Sequence, residues 1–386
     1  MTKKPGVVIL CDWFDPAFRA GGPVRSLVNL IDLLHPYYDF RIVCGNRDYG
    51  ANEDLPVKTE TWTDWNGKAR VMYLNRKTCS RSGLFSILDE CVNEDDVLYV
   101  QGIFSLYFSI YPILWWHRSK HQKIVVAPRG MLHRSARSVK PLQKAVFLTL
   151  ARIFGWFNNI DWQSTQPDET AEIRATMGKK AKIMEAANIP AGIPPYSERV
   201  VDGDVLNIIS VGRISDEKDP LLLLKVLGNL TIPVHATIIG DYSDESYFKV
   251  FQDALNLLPG HIKATHIVSV PPSQMQEYYC RQHLFVSCSK GENFGHAIAE
   301  ALACGLPCFI GENTPWKGLK AGNAGAELPL EADVFAGALE NYQRLSPAEK
   351  SEMSRAAHNF AVQSFQPETY RKQYAVLFSM EDVNIE

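Results

Sequence analysis

The sequence predicts an α/β protein made of two Rossmann-like, doubly wound domains facing each other across a cleft. Three observations lead there. At 386 residues the chain exceeds what one ordinary hydrophobic core fills and suits two. Short runs rich in Val and Ile alternate with longer amphipathic stretches, the pattern of parallel βαβ units, and that pattern occurs twice. Between the two occurrences lies segment 186–196, where Pro190, Gly192, Pro194 and Pro195 deny both helix and strand continuity.

In order along the chain, the first half predicts strands at 7–11, 40–43, 97–100 and 124–127, with helices at 24–34 and 106–118. The second half predicts strands at 206–211, 235–239, 262–267, 284–288 and 308–310. The first domain is placed at 1–190 and the second at 200–360. A last helix, over about 360–386, is expected to cross back onto the first domain. The apolar run 7–11 is short and is cut off by Asp12, so it reads as a first strand and not as a leader peptide. No apolar stretch approaches the roughly 18 residues that would span a bilayer.

Composition narrows the function. With 46% hydrophobic and 22% charged residues the chain is globular, and its eight scattered cysteines form no C-x-x-C pair. They read as reduced, buried thiols of a cytoplasmic protein. The ten histidines form no H-E-x-x-H motif and no Asp-x-Asp sits in a cleft-facing loop, so no metal is expected. The net charge of −3 hides an asymmetry: residues 1–190 hold 25 basic and 19 acidic side chains, the remainder 15 and 24. Residues 97–160 carry nine Lys or Arg, no acid, and interleaved aromatics. Such a segment suits an anionic membrane surface or a phosphate-bearing partner. Nucleic acid is not expected as a partner.

The stretch 287–307 is the most informative. A strand ends at Cys288, a polar turn follows, and a helix starts near Gly295 and stops at Gly305, with Pro307 beyond it. The start of that helix, approached through Asn293, Phe294 and Gly295, offers amide groups and a positive dipole end to a phosphate. Glu300 lies further along the helix, where its carboxylate can meet paired hydroxyls such as those of a ribose. Glu292 precedes the helix and can reach a sugar beyond the phosphates. In segment 208–220, Gly212 turns out of a strand and Asp219-Pro220 caps the next helix, which leaves Arg213 and Lys218 on one loop. Two cations there can hold a diphosphate. Asp241, Tyr242 and the loop 267–270 are placed beside a base pocket.

Two glutamates eight positions apart around an Asn-Phe-Gly turn resemble the E-x7-E motif of the group 1, retaining glycosyltransferases of GT-B fold, bacterial polysaccharide type. The following Ala-Leu-Ala-Cys-Gly-Leu-Pro is similar to that family as well. The resemblance implies that Glu292 contacts the transferred sugar, Glu300 the nucleotide ribose, and Arg213 and Lys218 the donor diphosphate. It implies a nucleotide-sugar donor as substrate, no further cofactor, and a saccharide or lipid-linked saccharide acceptor. It places the work in cell-surface polysaccharide or lipid-linked oligosaccharide synthesis, peripheral on the inner face of the plasma membrane.

In the first half, Gly21 and Gly22 precede Pro23 at a helix start, similar to the family's glycine loop facing donor and acceptor. The loop is not G-x-G-x-x-G, which argues against a nicotinamide-dependent oxidoreductase. Pro128-Arg129-Gly130-Met131 resembles a run found in many polysaccharide-type members, so Arg129 and His133 are candidates for contact with the sugar or an acceptor phosphate. Gln101 stands where many relatives carry a histidine. A nucleotide-sugar epimerase of the same fold and a non-catalytic carbohydrate- or lipid-binding subunit are the alternatives.

Overall fold

The computed structural model describes residues 4–75, 79–119, 123–133, 141–198 and 203–379. The chain divides into two compact units: Met1–Ile189 with Pro367–Glu386, and Pro190–Gln366. Each is described by itself.

The first unit is built on an eight-stranded sheet. Its strands are β1 (Gly6–Cys11), β2 (Asp39–Gly45), β3 (Thr63–Trp65), β4 (Ala69–Leu74), β5 (Val97–Gln101), β6 (Lys123–Ala127), β7 (Asp161–Ser164) and β8 (Lys182–Glu185). They lie in the order β3-β4-β2-β1-β5-β6-β7-β8, all parallel except β3, which runs against β4. β1 is buried along its whole length, as a central parallel strand covered on both faces requires. Helices α1 (Gly22–Leu34), α2 (Arg81–Cys91), α3 (Tyr111–Ser119), α4 (Pro141–Ile153) and α5 (Pro167–Met177) cover it. The helix expected over 106–118 is not uniform. A π-helical turn, Leu106–Ile110, runs into α3 with Tyr111 N donating to Leu106 O, and Pro112 follows with no N–H to continue the ladder.

The second unit holds β9 (Leu206–Val211), β10 (Val234–Ile239), β11 (Ile262–Ile267), β12 (Leu284–Ser287), β13 (Cys308–Gly311) and β14 (Gly325–Leu328), all parallel, in the order β11-β10-β9-β12-β13-β14. Side chains alternate between two cores. Leu206, Ile208, Leu284 and Val286 pack on one face, Ile209 and Phe285 on the other. The helices are α6 (Pro220–Asn229), α7 (Glu245–Asn256), α8 (Pro272–Cys280), α9 (His296–Ala303), α10 (Ala332–Arg344) and α11 (Pro347–Ser364). The order of strands reverses between β9 and β12, and the loops leaving their carboxyl ends therefore diverge to opposite faces. Ligands of doubly wound sheets bind at that point.

The final segment is two helices, not the one expected from about residue 360. α11 ends at Ser364, and Pro367 opens α12 (Pro367–Phe378). Proline at the start of a helix cannot continue the one before it. α11 stays with the second unit, where Ser354 Oγ donates to Gly305 O at 2.7 Å. α12 belongs to the first, where the Tyr374 hydroxyl accepts from Gln163 Nε2 at 3.1 Å and donates to Ala187 O at 3.2 Å.

Candidate active site

In the second unit three loops meet at the carboxyl ends of β9, β10 and β12. The first, from Gly212 to Asp219, is held against the second by Ile214 N donating to Asp241 O at 2.8 Å and Gly212 N to Ile239 O at 2.9 Å. The approach is so close that a Cβ on Gly240 would lie 1.8 Å from Gly212 O, so only glycine fits at 240. The third loop is stitched to the first through Lys290 N to Glu217 O at 2.9 Å and Ser289 Oγ to Glu217 O at 3.3 Å. Charges reinforce the seam. Lys290 Nζ lies 2.7 Å from Asp216 and 3.6 Å from Asp219.

Lys218 and Glu292, from the first and third loops, form an ion pair at 2.7 Å, with side chains 23% and 15% exposed. The structure thus joins two residues that are 74 positions apart in sequence. Asp219 adopts a left-handed conformation, φ 45°, and caps α6 by accepting from Leu222 N at 3.1 Å. That sharp turn lets the chain leave the loop and enter the helix directly.

Gly295, φ +79°, ψ 58°, caps α9. A side chain there would be strained in this conformation and would press on Ile298 and the indole of Trp316. Trp316 Nε1 donates to Phe294 O at 2.6 Å, and the Phe294 ring meets Trp316 edge-on at 5.7 Å and His296 at 4.7 Å. The peptide between Phe294 and Gly295 is thereby clamped before the helix begins. Asn293 lies on the same turn. Glu300, one turn into α9, is half-buried and accepts from the hydroxyl of the buried Tyr279 on α8 at 3.3 Å. Tyr242 stacks face to face on Phe248 at 3.7 Å, and His266 Nε2 lies 2.8 Å from Gly240 O. The hydroxyl of Tyr247, near Asp219 and Asp216, is buried without a hydrogen-bond partner among the described residues. Burial first, then those two carboxylates, push its pKa up to about 12. Cys288 lies beneath the third loop, and burial pushes its thiol up, so it is a packing group and not a nucleophile.

Sequence reading missed Tyr279, Trp316, Lys290 and Asp216. Tyr279 and Trp316 lie outside the motifs they support and carry no local signal. The Lys290–Asp216 pair was visible only as two charges on loops whose contact the sequence does not reveal.

In the first unit, Gly21 is open on the side where a Cβ would stand, and Gly22 starts α1 with Pro23 in its first turn. The preceding loop is pinned by Ser105 Oγ donating to Asp12 at 2.9 Å, Trp65 Nε1 to Asp15 at 3.0 Å, and the amides of Phe18 and Arg19 to Asp48 at 2.9 and 3.1 Å. Arg129, left-handed at φ 54°, donates to Gln101 Oε1 at 2.6 Å, Asn188 Oδ1 at 2.5 Å and the Tyr99 hydroxyl at 3.0 Å. Burial works against its charge, but Tyr99, Tyr374 and Glu169 more than offset this and raise its pKa. Gln101 Nε2 is buried with no partner among the described residues. His133 is exposed, its ring 3.7 Å from Glu172. Thus Arg129 is built into a network that fixes the start of the linker, while His133 stands apart on the surface.

Among the described residues no three His, Cys, Asp or Glu side chains cluster as metal ligands, and no helix is long and apolar enough to cross a membrane.

The family profile described as glycosyl transferases group 1 matches residues 198–317, which contain all three loops. No curated protein sequence matches the chain. Solved structures share its whole architecture at low identity. Sucrose-phosphate synthase from Thermosynechococcus elongatus is similar with a TM-score of 0.67 and 15% identity over 97% of this chain and 98% of that one. HepE from Anabaena, in complex with UDP and glucose, is similar with 0.68 and 16% over 97% and 99%. An α,α-trehalose-phosphate synthase (UDP-forming) from Burkholderia vietnamiensis is similar with 0.66 and 10% over 97% and 96%. The chain therefore has the GT-B fold, and residues 198–317 of its second unit match the profile of the group 1 glycosyl transferases.

Proposed function

We propose that the protein is a retaining glycosyltransferase that moves a sugar from a nucleoside-diphosphate sugar to an acceptor hydroxyl. The observation that carries this reading is the Lys218–Glu292 pair beside the Gly295 start of α9. It brings a cation for the diphosphate and a carboxylate for the sugar within one hydrogen bond of each other. The HepE complex with UDP and glucose, on the same fold, agrees with such a donor.

In this reading Arg213, Lys218 and the amide end of α9 neutralise the diphosphate as the bond from its oxygen to the anomeric carbon breaks. The acceptor oxygen bonds to that carbon from the same face, and its proton passes to the departing diphosphate. Glu292 orients the transferred sugar through its hydroxyls, and Glu300 holds the ribose, with Tyr279 fixing its carboxylate. Asn293, Phe294 and Gly295 shape the phosphate seat, and in the first unit Gly21, open where a Cβ would stand, and Gly22 leave the start of α1 accessible to substrate. Arg129 fixes Gln101 at the end of β5, and the exposed His133 serves an acceptor phosphate. Two side-chain cations supply the charge that a divalent ion would, so transfer proceeds with no metal. The acceptor is a saccharide or lipid-linked saccharide at the cytoplasmic face of the plasma membrane, in cell-surface polysaccharide or lipid-linked oligosaccharide synthesis.

The test is transfer from the nucleotide sugar that binds, with the product's anomeric configuration read by NMR. The reading requires the donor's configuration to be kept and turnover to persist in EDTA. An inverted product, or a strict metal requirement, overturns the respective half of it.

A further inference from the structure

The loop that leads into α9 is flanked on both sides. It leaves β12, which lies between β9 and β13 in the sheet. On the β9 side Lys290 N donates to Glu217 O, and Lys218 pairs with Glu292. On the β13 side a Cβ on Gly311 would lie 2.8 Å from Ser289 O, so the exit of β13 abuts the same loop. The chain leaving β13 is anchored by Glu312 N donating to Leu328 O at 2.9 Å and by Leu319 N donating to the Glu327 carboxylate at 3.1 Å. Trp316 lies between those two anchors and reaches the Phe294 carbonyl with its indole N–H at 2.6 Å.

That one bond decides which way a peptide faces. A planar trans peptide points its C=O and the following N–H in opposite directions. With the Phe294 carbonyl turned to Trp316, the Gly295 N–H is turned away from it, and no group among the described residues accepts from that N–H. The chain itself fixes this plane weakly. Gly295 has no side chain, and its amide lies outside the helical ladder, which begins with Ile298 N and Ala299 N donating to Gly295 O. Rotation of the peptide would put a carbonyl oxygen where the helix start otherwise offers an amide, and an anion would meet a negative pole. The rings of Trp316 and His296, 5.7 and 4.7 Å from that of Phe294, give the turn its shape without choosing between the two orientations. The indole N–H does choose, since only the carbonyl can accept from it.

We propose that Trp316 is a positioning residue for the donor diphosphate. Its indole N–H holds the Phe294 carbonyl on the β13 side and thereby turns the Gly295 amide toward Lys218 and the phosphates. The proposal rests on the donor site described above and gives a role in it to a residue outside its motifs.

Calorimetric titration of the full chain with UDP, GDP and ADP, and with uridine, guanosine and adenosine, tests it on two variants. Trp316→Phe keeps a ring in place and loses the donor. Replacement of Trp316 by benzothienylalanine keeps the shape of the indole with sulfur in place of N–H. Each is expected to bind the preferred nucleoside diphosphate roughly tenfold more weakly, with the affinity for the matching nucleoside unchanged and the melting temperature little changed. If Trp316→Phe melts early, the isosteric variant decides. A folded variant that binds the diphosphate like wild type overturns the proposal and leaves the donor site standing. So does one that loses diphosphate and nucleoside equally, which would make Trp316 a packing residue. Wild type that binds none of the three diphosphates overturns the donor reading, and this proposal with it.

Discussion

The two units share a doubly wound plan but use the carboxyl ends of their strands in opposite ways. In the second unit, charged side chains are gathered on loops and paired across them: Lys218 with Glu292, Lys290 with Asp216. In the first, the polar groups at the equivalent edge are drawn inward. Tyr99, Gln101, Arg129, Gln163, Asn188 and Tyr374 form a buried network that reaches from β5 and β6 to the linker and α12. The comparison teaches that one frame can serve as a charged seat for a ligand or as a bracket for the start of a linker. What differs is whether the loop residues stay half-exposed or are consumed by hydrogen bonds.

Substitutions can break this comparison at four strengths. The largest effect is expected from Arg213→Ala or Lys218→Ala, which remove a charge from the developing diphosphate. Each should raise the barrier by about 2.7–4 kcal/mol, a fall of about 10²–10³ in kcat, with little change in melting temperature. Near-normal turnover would remove these residues from the donor site. Arg129→Ala should instead act on stability. It leaves the Gln101 carbonyl without its donor in the interior, at about 1–3 kcal/mol where water does not enter, while Asn188 Oδ1 keeps Ser26 Oγ and the Tyr99 hydroxyl keeps Gln163. Calorimetry should show a clear drop in melting temperature, and a stable but inactive variant would turn Arg129 from bracket to catalyst.

Glu300→Ala comes next. Loss of a charge-assisted hydrogen bond to the ribose is worth about 1.5–3 kcal/mol, so the donor's Kd should weaken by about 10- to 100-fold. Titration with donor and with its 2′-deoxy analogue separates this from misfolding, because the analogue should lose its disadvantage in the variant. The smallest effect is Asp219→Ala. The lost cap of α6 should cost about 1 kcal/mol in denaturant unfolding. Its left-handed backbone is a further reason to compare it with Asp219→Asn, which keeps a capping oxygen and tolerates that conformation.

Much of the second unit was legible because its signals are contiguous. Glu292 to Glu300 lies on one turn and one helix, and the Gly295 and Gly305 conformations are the ones that glycine there announces. The first unit was less legible for the same reason in reverse. Its buried polar network draws on segments that are far apart in sequence, and no local pattern links Gln163 to Tyr374. Strands β7, Asp-Trp-Gln-Ser, and β8, Lys-Ile-Met-Glu, escaped notice because they lack apolar alternation. β7 is nevertheless interior, since Gln163 satisfies its amide on Ala186 O and its carbonyl on the Tyr99 hydroxyl. The break at Pro367 was readable in principle, but the helical pattern on either side of it obscured the stop.

The central claim is that the second unit seats a nucleoside-diphosphate sugar with Lys218, Arg213 and Glu300. A thermal-shift panel of UDP, GDP, ADP, CMP and their common sugar conjugates, run on wild type and on Glu300→Ala, tests it most directly. The account predicts that one nucleoside diphosphate and its sugar raise the wild-type melting temperature above all others and that the substitution blunts the shift. A panel in which nothing moves the wild type at millimolar concentration would contradict it.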